Sequence, residues 1–249
     1  MAEDLSVLSR KAGAADLTLL YGSAADQVAD LRYGRLADGG RQRPLLVFVH
    51  GGFWKPEYDR QHAEALSCAL ADAGWTVLTL EYRRVPGKPD LTMADLQTAL
   101  SILPGQISQH NGQLILCGHS AGGHLVLWAA AAHISAQAVL ALAPAADLEL
   151  AHQLNLGEAA VQRFLGCAPE QRPEYNPMHL AAPQSRVVIV QGLDDDIVPA
   201  AVAISYCAKF PATRLVQIKD CGHFAVIDPA SAAWQTVVRE LQRLSPASA

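Results

Sequence analysis

Residues 114–128 read LILCGHSAGGHLVLW: an apolar run, a Gly-His-Ser-Ala-Gly turn at 118–122, and a second apolar run that continues into alanines. The first run has the length of a buried strand, and the second, carried on to 132, has the length of a helix. A Gly-x-Ser-x-Gly turn between strand and helix forces the serine backbone into a strained conformation. Bulky side chains two residues to either side would clash there, and glycines remove the clash. The hydroxyl of Ser120 is then held at the carboxyl edge of a sheet, above a helix N-terminus that favours developing negative charge.

Outward from this turn, strand-like and helix-like runs alternate. Upstream lie LTLL at 17–20, VADLRY at 28–33, PLLVFVH at 44–50 and WTVLTLEY at 75–82; downstream lie AVLAL at 138–142, VVIVQG at 187–192 and TRLVQI at 213–218. PLLVFVH is too uniformly apolar for a half-exposed strand, which marks a parallel strand covered on both faces. Helical stripes separate the strands: Ala63, Leu66, Leu70 and Ala73, then Leu96, Leu100 and Leu103, and finally Ala230, Trp234, Val237, Leu241 and Leu244. The pattern predicts an α/β fold with a mostly parallel sheet and a single domain over 1–249. One stretch, about 144–185, breaks the rhythm with prolines, no convincing strand and a single short helical candidate at 158–165. It is expected to be an insertion that acts as a lid or a wall of a site.

Apolar residues make up 51% of the chain and charged residues 17%, which excludes a disordered protein. The net charge of −5 is spread without long like-charge runs, arguing against nucleic acid or an anionic membrane as partner. The opening residues lack the pattern of a secretory signal, and the alanine- and leucine-rich stretch around 125–146 is broken by His133, Ser135, Gln137 and Pro144. Five scattered cysteines without a C-x-x-C pair fit a reducing cytoplasm better than a disulfide framework or a zinc site.

A neutral serine needs a base, itself oriented by an acid. Both are available after strands: Asp194, Asp195 and Asp196 follow VVIVQG, and His223 follows LVQIKDCG. Asp195 is the preferred acid, with Asp194 and Asp196 left open. Of nine histidines, His223 is preferred as base because it closes the last strand on the edge that carries Ser120. His119, beside the nucleophile, is expected to turn away from the serine. No H-x-H or H-E-x-x-H cluster calls for a metal, and nothing calls for a cofactor. The third element is His50-Gly51-Gly52-Phe53-Trp54, directly after a buried strand. A glycine-rich turn exposes backbone N–H groups, which with the N–H of Ala121 would make an oxyanion hole. His50 is expected to order this loop.

With these elements in register the chain resembles serine hydrolases of the α/β-hydrolase fold, an eight-stranded, mostly parallel sheet with helices on both faces. The H-G-G-F-W loop, together with G-H-S-A-G-G-H-L, is similar to the kynurenine formamidases (arylformamidases) and the carboxylesterases grouped with them. Glu81-Tyr82-Arg83 and Tyr175-Asn176-Pro177 add to the likeness. The resemblance implies Ser120 as nucleophile, Asp195 as acid and His223 as base. It implies Gly52, Phe53 and Ala121 as amide donors, with Gly51 shaping the turn.

The expected function is hydrolysis of small carboxylic esters or aryl formamides through an acyl-enzyme, with N-formylkynurenine as the alternative substrate. A non-catalytic ligand-binding role is the remote alternative. Trp54 and His119 are expected at the substrate pocket. No helical cap precedes the sheet, so an open site for short acyl groups is expected, with homodimer formation left open.

Overall fold

The computed structural model describes residues 3–37, 41–132 and 134–245. His133, counted above among the histidines, lies outside these. Eight strands form one sheet: β1 (Leu17–Leu20), β2 (Val28–Arg32), β3 (Leu45–Val49), β4 (Val77–Leu80), β5 (Leu114–His119), β6 (Ala138–Leu142), β7 (Arg186–Gly192) and β8 (Arg214–Ile218). Their order across the sheet is β1-β2-β4-β3-β5-β6-β7-β8. β1 and β2 pair antiparallel, as do β2 and β4; every pairing from β4 to β8 is parallel.

Burial on both faces explains why the central strands are apolar without alternation. Leu45, Val47 and Val49 of β3 enter one core, while Leu46 and Phe48 enter the other. The first core is closed by three helices: α2 (Pro89–Ile102) through Leu96 and Leu100, α3 (Ala121–Ala131) through Leu125, and α6 (Ala200–Lys209) through Val202. The second is closed by α1 (Glu64–Asp72) through Leu66 and Leu70, and by α7 (Trp234–Leu244) through Val237 and Leu241. Burying one such leucine stabilises the fold by roughly 1.5–3 kcal/mol.

The segment 144–185 forms α4 (Leu148–Gln153), α5 (Ala160–Leu165) and three 3-10 turns, each opened by a proline: Pro169–Gln171, Pro173–Tyr175 and Pro177–His179. Proline suits the first position of such a turn, where its missing N–H is not needed. The segment is tied down on α3, whose His124 and Trp128 donate ring N–H groups to the carbonyls of Tyr175 and Glu174 at 2.8 and 2.9 Å. Helix α4 was not expected from the sequence. It is only six residues long, and its start is fixed by Asp147, whose side chain accepts the N–H of Leu150.

Because β3, β5, β6, β7 and β8 run parallel, their carboxyl ends fall on one edge. The loops at 50–54, 119–121, 193–198 and 219–224 therefore meet there.

Candidate active site

Ser120 sits between β5 and α3 with φ 56° and ψ −117°, outside the region that L-residues prefer. The glycines that permit this are enforced by contact. A Cβ on Gly118 would stand 2.2 Å from the Gly122 carbonyl oxygen, and one on Gly122 would stand 2.0 Å from that of Val49. The turn is held by its own backbone: the Ser120 N–H donates to Leu142 O at 2.9 Å, and its carbonyl accepts the N–H of His124 and of Ala145.

His223 lies beyond β8 with its Nδ1–H directed at Asp195 Oδ2, 2.8 Å away, and both side chains are buried. Among the three aspartates Asp195 alone is buried, while Asp194 and Asp196 face solvent. Asp195 is fixed on every side. Its Oδ1 accepts the N–H of Ile197 and Val198 at 3.0 and 2.7 Å, and its Oδ2 also accepts Gln191 Nε2–H at 3.0 Å. Gln191 is a polar residue inside an apolar strand, a signal that could have marked it as a partner of a buried polar group. Ser120 and His223 border one cavity of about 220 Å³, although the serine hydroxyl makes no hydrogen bond to the ring among the described residues.

The loop after β3 lies against this turn: a Cβ on Gly51 would stand 3.0 Å from Ser120 Cβ. Gly52, Phe53 and Trp54 all have positive φ, at 109°, 52° and 54°. Among the described residues the N–H groups of Gly52, Phe53 and Ala121 meet no acceptor. The loop is anchored from beneath by His50, whose Nε2–H donates to Glu81 Oε1 at 3.0 Å and whose ring stacks on Tyr82 at 4.5 Å. The Tyr82 hydroxyl closes the motif by donating to His50 O at 3.0 Å. Burial would raise the Glu81 carboxyl, but the hydrogen bond from His50 and the Arg84 guanidinium overcome it and hold the pKa at about 2. Nothing in the local sequence around Glu81 and Tyr82 marks them as the support of the loop at 50–54.

Of the two residues expected at the substrate pocket, His119 lines the cavity of Ser120 and Trp54 does not. The Trp54 ring is buried, stacked on Phe164 of α5 at 4.7 Å, and belongs to a neighbouring cleft of about 300 Å³ with Arg163 and Lys55. Phe53, one residue earlier in the same positive-φ turn, reaches the serine cavity instead. His119, expected at the substrate pocket, borders that cavity. Its Nε2–H donates to the His223 carbonyl at 3.0 Å, and the two rings lie 4.5 Å apart. Burial, and then the neighbouring His223, keep His119 well below the usual histidine pKa and therefore neutral.

The rest of the wall was not anticipated. Tyr58, His62, Ile197 and Phe224 contribute, as do Leu5 and Leu8 from the N-terminal segment, where an open site had been expected. Burial, then the neighbouring His50, push His62 down to about 3. Among the described residues no group of His, Cys, Asp or Glu is placed to hold a metal ion, and no helix is long and apolar enough to cross a membrane.

A mixed sheet of this order, with a strained serine turn and a buried His–Asp pair on one edge, is the α/β-hydrolase fold. Residues 36–210 match the BD-FAE family, and the chain belongs to that family. Among curated relatives it is similar to kynurenine formamidase of Drosophila melanogaster, with 31% identity over 124 residues, covering 48% of this chain and 39% of that protein. It is also similar to Esterase LipC of Mycobacterium tuberculosis, with 30% identity over 111 residues, covering 43% and 27%. The matched stretch thus spans less than half the length of either relative. Among solved structures, Esterase B from Lactobacillus rhamnosis, inhibited by a C4-C4 tributyrin phosphonate, superposes with TM-score 0.77 at 18% identity, covering 96% of this chain and 88% of that one.

Proposed function

We propose that the protein is a serine hydrolase that cleaves carboxylic esters of small acyl groups through an acyl-enzyme. The observation that carries this reading is the buried Asp195–His223 hydrogen bond in the same cavity as the strained Ser120.

In this mechanism Ser120 Oγ attacks the ester carbonyl as His223 Nε2 takes its proton. Asp195 holds Nδ1–H, which fixes the tautomer that leaves Nε2 free and stabilises the imidazolium that forms. The resting site has no Ser120–His223 hydrogen bond, and such contacts commonly tighten only when substrate is bound. The N–H groups of Gly52, Phe53 and Ala121 receive the oxyanion, a type of stabilisation worth about 3–4 kcal/mol per donor. His223 then gives its proton to the leaving alcohol. Water, deprotonated by the same ring, releases the acid and regenerates Ser120.

The cavity of about 220 Å³ lies below the ~300–1,000 Å³ of pockets for drug-sized ligands, which favours short acyl groups. Arylformamide hydrolysis is the second reading. It is favoured by the aromatic rings of Phe53, Tyr58 and Phe224 around the serine, and by relatives named kynurenine formamidase. Measuring kcat/KM for a p-nitrophenyl ester series beside N-formylkynurenine separates the two. Preference for acetyl to butyryl esters supports the first reading, and a dominant formamidase rate replaces it with the second.

A further inference from the structure

We propose that the N-terminal segment, residues 3–10, is the wall that limits acyl length, with Leu5 and Leu8 as its specificity-determining residues. The inference rests on the hydrolase reading and adds what that reading leaves open, namely where the substrate's acyl chain is stopped. The segment also lies outside the stretch that matches the family, residues 36–210.

The segment is fastened at one end to the loop that carries His223 and at the other to Asp228, just beyond it. At one end, the Glu3 carboxylate accepts the backbone N–H of His223 at 2.6 Å and that of Phe224 at 3.4 Å. Gly222 leaves the room for this, since a Cβ there would stand 2.6 Å from both carboxylate oxygens. At the other end, Arg10 pairs with Asp228, one of its bonds being Nη2–H to Oδ2 at 2.9 Å. Between these anchors runs a 3-10 turn, Ser6–Ser9.

The turn decides which side chains face the site. In a 3-10 helix residues three apart lie on one face. Leu5 and Leu8 are such a pair, and both border the cavity of Ser120 and His223. Val7 points the other way and is buried in the core beneath α1 and α7. Leu5 is 55% exposed and stands at the mouth, whereas Leu8 is half-buried and packs partly on that core. A single exposed leucine needs no explanation, but two on one face over a serine nucleophile, held by an ion pair at one end and a carboxylate on backbone N–H groups at the other, form a surface. Phe53, Ile197 and Phe224 add to the apolar wall.

The test is a p-nitrophenyl ester series from C2 to C12 on the wild type and on Leu8→Ala, Leu8→Trp and Leu5→Ala, with Leu17→Ala on β1 as a control leucine away from the site. One methylene in an apolar pocket discriminates by about 10–200-fold. Leu8→Ala is therefore expected to raise the C8/C4 ratio of kcat/KM by tenfold or more, and Leu8→Trp to move the optimum to acetyl. Leu5→Ala, at the solvent-facing position, is expected to shift the same ratio in the same direction as Leu8→Ala, and reads it even if the Leu8 variants do not fold. Leu17→Ala should leave the ratio where it is. Ratios within twofold of wild type in every Leu5 and Leu8 variant that folds would overturn the wall while leaving the hydrolase intact. A wild type that turns over no ester, and whose Ser120 resists a fluorophosphonate, would overturn both readings together.

Discussion

His223 Nδ1 stands 2.8 Å from Asp195 Oδ2, with the carboxylate already holding two backbone N–H groups and the Gln191 amide. The pair is therefore rigid before any substrate arrives. An imidazole so oriented can serve only through its free Nε2, and His223 borders the same cavity as Ser120.

Asp195→Asn should lower kcat by about 10⁴, because the amide favours the wrong tautomer of His223 while leaving the geometry in place. Asp194→Asn and Asp196→Asn, both at exposed positions, should each change it by less than about tenfold. Steady-state kinetics on p-nitrophenyl acetate check all three. A large loss at 194 or 196 with Asp195→Asn active would reassign the acid.

Glu81→Gln should weaken the loop that presents the amide donors, lowering kcat more than it raises KM, since the oxyanion is bound chiefly in the transition state. It should also change the acid response. The Glu81 pKa is depressed from 4.5 to about 2, so the stabilisation from its charge is complete above pH 4.5 and is lost as pH falls towards 2. Denaturant unfolding at pH 6 and pH 3 checks this: the gap between wild type and Glu81→Gln should narrow at the lower pH.

His124 is buried beneath the segment 144–185, and burial lowers its pKa from 6.5 to about 4. Between those values the unfolded chain takes up a proton that the folded chain refuses, so stability falls as pH drops from 6.5 to 4. The slope is up to about 1.4 kcal/mol per pH unit for one such group. In His124→Gln the decline between pH 7.5 and 4.5 should be shallower than in wild type, read from urea midpoints. An identical decline would show that His124 is protonated in the folded state.

Gly122→Ala should be severe, because its Cβ would fall 2.0 Å from the Val49 carbonyl oxygen and only backbone movement could relieve the clash. Loss of soluble protein, or a drop in melting temperature of several degrees with activity lost, is expected from thermal unfolding. Gly13→Ala, where nothing lies within 4 Å, is the matched control and should change little.

The sheet was legible because its central strands are buried on both faces and so read as unbroken apolar runs, such as LLVFV of β3. The serine turn was legible because its geometry permits only small residues at 118 and 122. The choice among three adjacent aspartates is a matter of which one the turn buries, and adjacency in sequence carries no information about that. The pocket place expected for Trp54 is taken by Phe53, because both residues have positive φ in a turn whose ring directions the sequence does not carry. Glu3 had no local signature at all. Its partner lies 220 residues away, and a surface glutamate near an N-terminus looks like any other. The ring hydrogen bond of His119 was equally hidden, since its acceptor, the His223 carbonyl, is 104 residues distant.

The most direct test is covalent. A fluorophosphonate probe should label the wild-type protein at one site, which peptide mass spectrometry should locate at Ser120, with p-nitrophenyl acetate turnover lost in step with labelling. Ser120→Ala should take no label and lose activity by about 10⁶, since members of a triad act as a unit. Labelling at another residue, or ester turnover surviving in Ser120→Ala beyond a few per cent, would contradict the account.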